Sequence, residues 1–176
     1  MRVTGTNKKV LYSKETIEKR VQEIAQTLSD DYQGRDVVFI CILKGAFIFL
    51  ADLMRHLAIP HTIDFMRVAS YGSGTVSSGK ITVTKDIETD IDGKDVVIVE
   101  DIIDTGITLA FLKNKLQEKT PRSLKICALL DKKARREVEI DADYVGFSMD
   151  EGFVVGYGLD FDENFRSLPD IYVIEG

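Results

Sequence analysis

The chain has 176 residues, 44% hydrophobic and 30% charged, which suits one globular domain with its own core and needs no disulfide or metal staple. Its 23 basic and 29 acidic residues give a net charge of −6, which weighs against a general binder of nucleic-acid backbone, since that needs a basic face. Only 3 prolines and 13 glycines exclude collagen-like and low-complexity classes.

The N-terminus, Met1-Arg2-Val3-Thr4-Gly5-Thr6-Asn7-Lys8-Lys9, has no apolar signal core behind its charges. No apolar run approaches the roughly 18–20 residues that cross a bilayer as a helix. Cys41 and Cys127 sit in strand-like apolar runs without zinc spacing and read as buried thiols in a reducing compartment. The expectation is a cytoplasmic protein.

Ser13 is a good N-cap, with Glu15 placed in the first turn of the helix it opens. Ile17, Val21, Ile24, Ala25 and Leu28 then follow the spacing of one buried helix face. Residues 37–43, Val-Val-Phe-Ile-Cys-Ile-Leu, read as a strand covered on both faces. Lys44-Gly45 interrupts that run, 46–57 looks helical, Pro60 ends the element and 62–68 reads as a second strand. Residues 71–79, Tyr-Gly-Ser-Gly-Thr-Val-Ser-Ser-Gly, have turn composition and no apolar period, so a mobile excursion is expected. A strand resumes over 81–84, Asp92-Gly93 signals a turn, 95–99 is another buried strand, and 108–119 is a helix ending before Pro121. A strand over 124–130 leads to the basic cluster Lys132, Lys133, Arg135 and Arg136. Short strand-like pieces fill 144–174. Strands alternating with helices imply βαβ units, hence an α/β fold with a mostly parallel central sheet flanked by helices.

Open α/β sheets bind ligands at the carboxyl ends of their strands. The most informative end is Val96-Val97-Ile98-Val99-Glu100-Asp101-Ile102-Ile103-Asp104-Thr105-Gly106-Ile107-Thr108-Leu109. From Asp104 through Thr105, Gly106 and Ile107 to Thr108, converging backbone N–H groups and threonine hydroxyls can cradle a phosphate. Ionised Glu100 and Asp101 only accept hydrogen bonds, so they suit sugar hydroxyls or a hydrated cation. In a regular strand the two would point to opposite faces; a bend after Val99 would let both meet one ligand.

Blander alternatives compete. An acid at a strand end can simply be solvated or cap a helix. Asp-Thr-Gly also occurs in aspartic proteases, but that chemistry pairs two such aspartates and this chain has one triplet. A flavin phosphate loop would tolerate the acidic prefix badly. The P-loop pattern and the Gly-x-Gly-x-x-Gly fingerprint are both absent.

The run from Val96 to Leu109 closely resembles the phosphoribosyl-pyrophosphate motif of the type I phosphoribosyltransferases, and its Glu-Asp-Ile-Ile-Asp-Thr-Gly core is similar to the hypoxanthine-guanine branch. Leu43-Lys44-Gly45, Ser70-Tyr71-Gly72, Leu129-Leu130-Asp131-Lys132, Phe153-Val154-Val155-Gly156-Tyr157-Gly158-Leu159-Asp160 and Phe165-Arg166-Ser167-Leu168-Pro169 fall where that family has its functional loops.

The resemblance implies a single phosphoribosyltransferase domain over 1–176, with a small hood from terminal segments and a lid at about 71–79 that closes to exclude water. It implies transfer of a ribose 5-phosphate from phosphoribosyl pyrophosphate to N9 of a 6-oxopurine, with Mg²⁺ as cofactor. Asp104, Thr105, Gly106, Ile107 and Thr108 would hold the 5-phosphate. Glu100 and Asp101 would take the ribose hydroxyls and the metal, with Asp160 a second metal anchor. Asp104 would be the general base, its proton affinity raised by the neighbouring phosphate. Lys132 would donate to O6, Phe153 would stack on the base, and Val154 and Asp160 would meet its edge. For Phe153 or Val154 alone, core packing is the default.

Lys44, Gly45, Ser70, Tyr71 and Arg166 would hold pyrophosphate, in a loop where the family carries an unusual cis peptide. Lys133, Arg135 and Arg136 read as a solvated basic turn. The family commonly forms dimers or tetramers. Some proteins of this fold are regulators that bind nucleic acid and only sense the phosphoribosyl ligand. The acidic balance and the intact Lys132, Asp104 and Arg166 favour the enzyme, with small-molecule substrates and neither nucleic acid nor membrane as partner.

Overall fold

A computed structural model describes residues 7–70 and 81–174. The elements run β1 (Lys8–Tyr12), α1 (Lys14–Asp31), β2 (Val37–Leu43), α2 (Phe47–His56), β3 (His61–Ser70), β4 (Ile81–Lys85), β5 (Asp95–Ile103), α3 (Ile107–Gln117), β6 (Ser123–Lys132), β7 (Tyr144–Met149), β8 (Phe153–Val155) and β9 (Ile171–Ile174).

β4 to β7 and their partners make a six-stranded sheet in the order β4-β3-β2-β5-β6-β7. Every neighbour pair in it is parallel except β3 with β4. Alternate residues of the central strands feed separate cores. Val37, Phe39, Cys41, Val97 and Val99 pack with Ile17, Val21, Ile24 and Leu28 of α1 and with Phe49, Leu50 and Leu53 of α2. Val38, Ile40, Ile42, Val96 and Ile98 face the other way, onto Leu109, Leu112 and Leu116 of α3. Both faces are covered, so these strands are apolar throughout rather than alternating. Ser13 caps α1 as expected, its Oγ accepting from Thr16 N at 3.3 Å.

Cys41 and Cys127 are buried and free. Both lie opposite Val99, one on each side of β5, so they are two strand spacings apart, about 9–10 Å and beyond disulfide reach. Burial pushes the Cys41 thiol up to about 12, and Cys127 shifts in the same direction for the same reason.

The small hood expected from the terminal segments is formed by β1, which pairs antiparallel with β9, itself paired with β8. Two features depart from the reading of the sequence. β5 continues through the acidic pair to Ile103 instead of stopping at Val99. Arg136 belongs to no solvated turn: its side chain is only 14% exposed and joins two site loops. The excursion at 71–79 lies outside the described residues, as does Tyr71.

Candidate active site

Because β2, β5 and β6 are adjacent and parallel, their carboxyl ends bring three loops to one edge of the sheet. These carry Lys44-Gly45, residues 104–108 and Lys132. The Leu43-Lys44 peptide is cis. Above them sits the segment after β8, where Gly158 adopts φ +99° and a Cβ would fall 2.1 Å from the Gly45 carbonyl oxygen.

The cradle is a cavity of about 120 Å³ lined by Glu100, Ile102, Asp104, Thr105, Gly106 and Thr108 among others. Gly106 caps α3 at φ +82°. A Cβ there would lie 2.6 Å from Ile140 Cγ2, so both the backbone angle and the close approach require glycine. Ile107 opens the helix, whose first amides have no intrahelical acceptor and offer themselves to an anion. The cradle is braced from behind, since Thr105 O accepts from Glu137 N at 2.9 Å.

Arg136 Nε donates to the Asp104 carbonyl at 3.1 Å, and its terminal nitrogens donate to Asp131 and to the Ile140 carbonyl. One buried guanidinium thus locks the phosphate loop to the end of β6. Nothing in residue type sets Arg136 apart from its basic neighbours; its place five residues after Asp131, at the end of a buried strand, is the signal that could have found it.

Glu100 lines the cradle, whereas Asp101 lies against Gly45, where a Cβ would sit 1.6 Å from Oδ2. The alternation of faces breaks across this pair, since Ile98 and Ile103 feed one core while Val99 and Ile102 feed the other, so the chain departs from a regular strand here and keeps the two acids close together. They remain close enough to interact: burial, and then the Asp101 charge, hold the Glu100 carboxyl well above the usual carboxylate range. Each accepts from the next backbone amide, Glu100 Oε1 from Asp101 N at 3.1 Å and Asp101 Oδ1 from Ile102 N at 2.8 Å. Among the described residues neither forms an ion pair. A half-buried carboxyl pair without a counter-cation fits a divalent ion that takes one or two carboxylates and fills its remaining positions from substrate and water. Asp160 does not join them. Its carboxylate accepts from Arg166 Nη2 at 2.8 Å and from Glu163 N at 2.9 Å, and among the described residues no group of three acidic, His or Cys side chains forms a preassembled metal cage.

Asp104 Oδ1 is buried with no hydrogen-bond partner. Lys132 Nζ stands 3.9 Å from it, and Arg135 Nη1 lies 3.2 Å from Oδ2. Lys132 is itself only 8% exposed and donates to the Gly152 carbonyl at 3.0 Å. Val154 is buried, but Phe153 is 49% exposed, which core packing does not explain. Its ring meets Phe161 edge-on at 5.4 Å, and the residue just before it, Gly152, is the one that holds Lys132. Arg166 is fixed by the Gly158 carbonyl at 2.7 Å and by Asp160. Lys44 reaches Glu163 at 2.7 Å. Ser70 ends β3, next to the segment that is not described.

Buried strands thus deliver a phosphate-sized cradle, an acidic pair and an aspartate–lysine pair to one sheet edge. The model of the phosphoribosyl transferase domain matches residues 8–162, and the chain belongs to that family. It is 46% identical over 167 residues to the hypoxanthine-guanine phosphoribosyltransferase of Bacillus subtilis, covering 95% of this chain and 93% of that one. The protein of that name from Aquifex aeolicus is 45% identical over 174 residues, covering 98% of each chain. A crystal structure of a hypoxanthine-guanine phosphoribosyltransferase from Bacillus anthracis superposes with a TM-score of 0.91 at 44% identity, covering 97% of this chain and all of that one.

Proposed function

We propose that this chain is a purine-salvage enzyme of the hypoxanthine-guanine branch, moving the 5-phosphoribosyl group from phosphoribosyl pyrophosphate to N9 of hypoxanthine or guanine. The observation that carries the reading is the buried Asp104 Oδ1, which accepts no hydrogen bond although Lys132 Nζ stands 3.9 Å away, at the mouth of a phosphate cradle. A buried acceptor left without a donor costs free energy unless a ligand supplies one, and a purine ring N–H does so.

In this reading the amides and hydroxyls of residues 104–108 hold the 5-phosphate and fix the ribose. Glu100 and Asp101 accept from the ribose hydroxyls and hold Mg²⁺, which supplies charge neutralisation to the pyrophosphate end. The purine lies on the exposed face of Phe153, with its edge toward Val154. Lys132 donates to O6. An ammonium has no acceptor, so a 6-amino group would be left unpaired and adenine is disfavoured. Asp104 takes the proton that the ring nitrogen loses as the bond from N9 to the ribose forms and the bond to pyrophosphate breaks. Lys44, Gly45, Arg166, Ser70 and Tyr71 receive the leaving pyrophosphate. The segment at 71–79 serves as the lid, and Asp160, which orients Arg166, also meets the purine edge and would be a second anchor for the metal. The protein works in the cytoplasm as a homodimer or homotetramer.

Incubation with phosphoribosyl pyrophosphate, Mg²⁺ and hypoxanthine, followed by chromatography, should yield inosine monophosphate and pyrophosphate in equal amounts. Asp104→Asn should slow that yield by about 10²–10⁴-fold, the usual worth of a general base. Binding of phosphoribosyl pyrophosphate without any nucleotide product would overturn the reading in favour of a ligand-sensing regulator.

A further inference from the structure

Glu163 was singled out neither by composition nor by motif, yet it occupies a distinctive place. Phe161 and Asn164 bridge each other across a two-residue hairpin turn, with N–H···O bonds of 3.2 and 3.0 Å. The central residues, Asp162 at φ +52° and Glu163 at φ +61°, both lie in the left-handed region. That defines a type I′ turn, whose second central position strongly favours glycine. A glutamate here works against the local backbone preference, and such conflicts mark positions kept for another reason.

The carboxylate supplies the reason. Glu163 Oε2 accepts from Lys44 Nζ at 2.7 Å, and Oε1 lies 3.6 Å from Arg166 Nη2. One exposed anion therefore joins Arg166, three residues on in its own loop, to Lys44, 119 residues away in sequence. Arg166 keeps a buried Nε without a partner, so its donor capacity is not exhausted by Asp160, Gly158 and Glu163.

We propose that Glu163 is a built-in stand-in for pyrophosphate: its carboxylate bridges Lys44 and Arg166 in the free protein and must leave when the pyrophosphate group arrives. The inference rests on the reading of Lys44 and Arg166 as pyrophosphate ligands. Its consequence is a deliberate weakening of that subsite. The tethered carboxylate competes with the diphosphate of the substrate and equally with the product, so it speeds product departure at the expense of affinity. It also keeps the two cations pre-positioned and shields them from stray inorganic phosphate.

The test is calorimetric titration of Mg²⁺-pyrophosphate into the wild-type protein and its Glu163→Gln, Glu163→Gly, Lys44→Gln and Lys44→Gln/Glu163→Gln variants, alongside steady-state kinetics. Exposed ion pairs are individually weak, so removing both contacts should tighten pyrophosphate by about two- to tenfold. KM for phosphoribosyl pyrophosphate should fall by a similar factor, and KM for hypoxanthine should not move. A merely structural role would not split the two constants in this way. Glu163→Gly also relieves the turn, so it should tighten pyrophosphate without lowering the melting temperature, which guards against misfolding as an explanation. In the Lys44→Gln background most of the gain from Glu163→Gln should vanish. Unchanged or weaker pyrophosphate binding by both Glu163 variants would overturn the proposal. Unchanged binding by Lys44→Gln would instead sink the pyrophosphate reading of that residue, and the proposal with it.

Discussion

Gly45 and Gly158 touch the same spot in the site, yet alanine should injure the protein in different ways at the two positions. At Gly45 the added Cβ would fall 1.6 Å from Asp101 Oδ2 and 2.5 Å from its Cγ. The obstacle is the end of a side chain, so rotation of the carboxylate by roughly 1.5 Å restores normal contact at the cost of its bond from Ile102 N, about 1 kcal/mol. For a chain of this size that lowers the melting temperature by about 2–4 °C. Function should suffer more, because displacing a reactive group by about 1 Å can cost 10²-fold in rate. At Gly158 the Cβ meets the Gly45 carbonyl at 2.1 Å with φ at +99°, so the backbone itself must move. The left-handed strain alone is worth about 1–3 kcal/mol. With the overlap added, a loss of about 3 kcal/mol corresponds to a fall of about 6–12 °C. Scanning calorimetry and pyrophosphate release, measured on both variants, separate the two effects. Gly45→Ala with wild-type kcat/KM, or with a melting temperature as low as that of Gly158→Ala, would refute the reasoning that a movable Asp101 is held against Gly45 for function.

Other consequences follow from the charged groups. Glu100→Gln removes one member of a half-buried like-charge pair, so the metal-free protein should melt higher than wild type at neutral pH while its binding of Mg²⁺ with phosphoribosyl pyrophosphate weakens; a lower melting temperature would contradict the assignment. Arg136→Ala leaves Asp131, 3% exposed, without its main partner, which should cost about 3–5 kcal/mol. Arg136→Lys should recover little of this in a thermal melt, because a single ammonium cannot serve a carboxylate and two carbonyls in one plane. At the far end of β5, the Arg122 guanidinium, ahead of Ser123 and Arg35, holds the fully buried Asp95 carboxyl below the usual carboxylate range. A folded value below the unfolded one gives stability that is present above the unfolded pKa and lost as pH falls through the folded one. Acid melts should therefore show wild type losing stability below about pH 4 faster than Asp95→Asn, starting from a higher neutral plateau.

The sheet and the cradle were legible because buried parallel strands are written as unbroken apolar runs, and because Asp104 to Thr108 directly follow one of them. What escaped depends on partners distant in sequence. β1 is five residues long and exposed along most of its length, so it has no internal pattern; only its pairing with β9 makes it a strand. Arg136 looks like its basic neighbours until β6 folds Asp131 beside it. Phe161 and Glu163 sit in a polar turn whose meaning depends on Phe153 and Lys44 arriving from other loops. The bend that keeps Glu100 and Asp101 together was open in the sequence, because only packing shows Ile102 joining the core of Val99 and Ile103 that of Ile98.

On the proposed reading, Asp104 and Lys132 recognise and deprotonate a 6-oxopurine beside a phosphoribosyl cradle. The decisive assay is the rate of pyrophosphate release from phosphoribosyl pyrophosphate and Mg²⁺ with hypoxanthine, guanine or adenine supplied in turn. Release with hypoxanthine or guanine and none with adenine is the predicted result. Release with adenine at a comparable rate would contradict the role of Lys132, and no release with any of the three would contradict the claim as a whole.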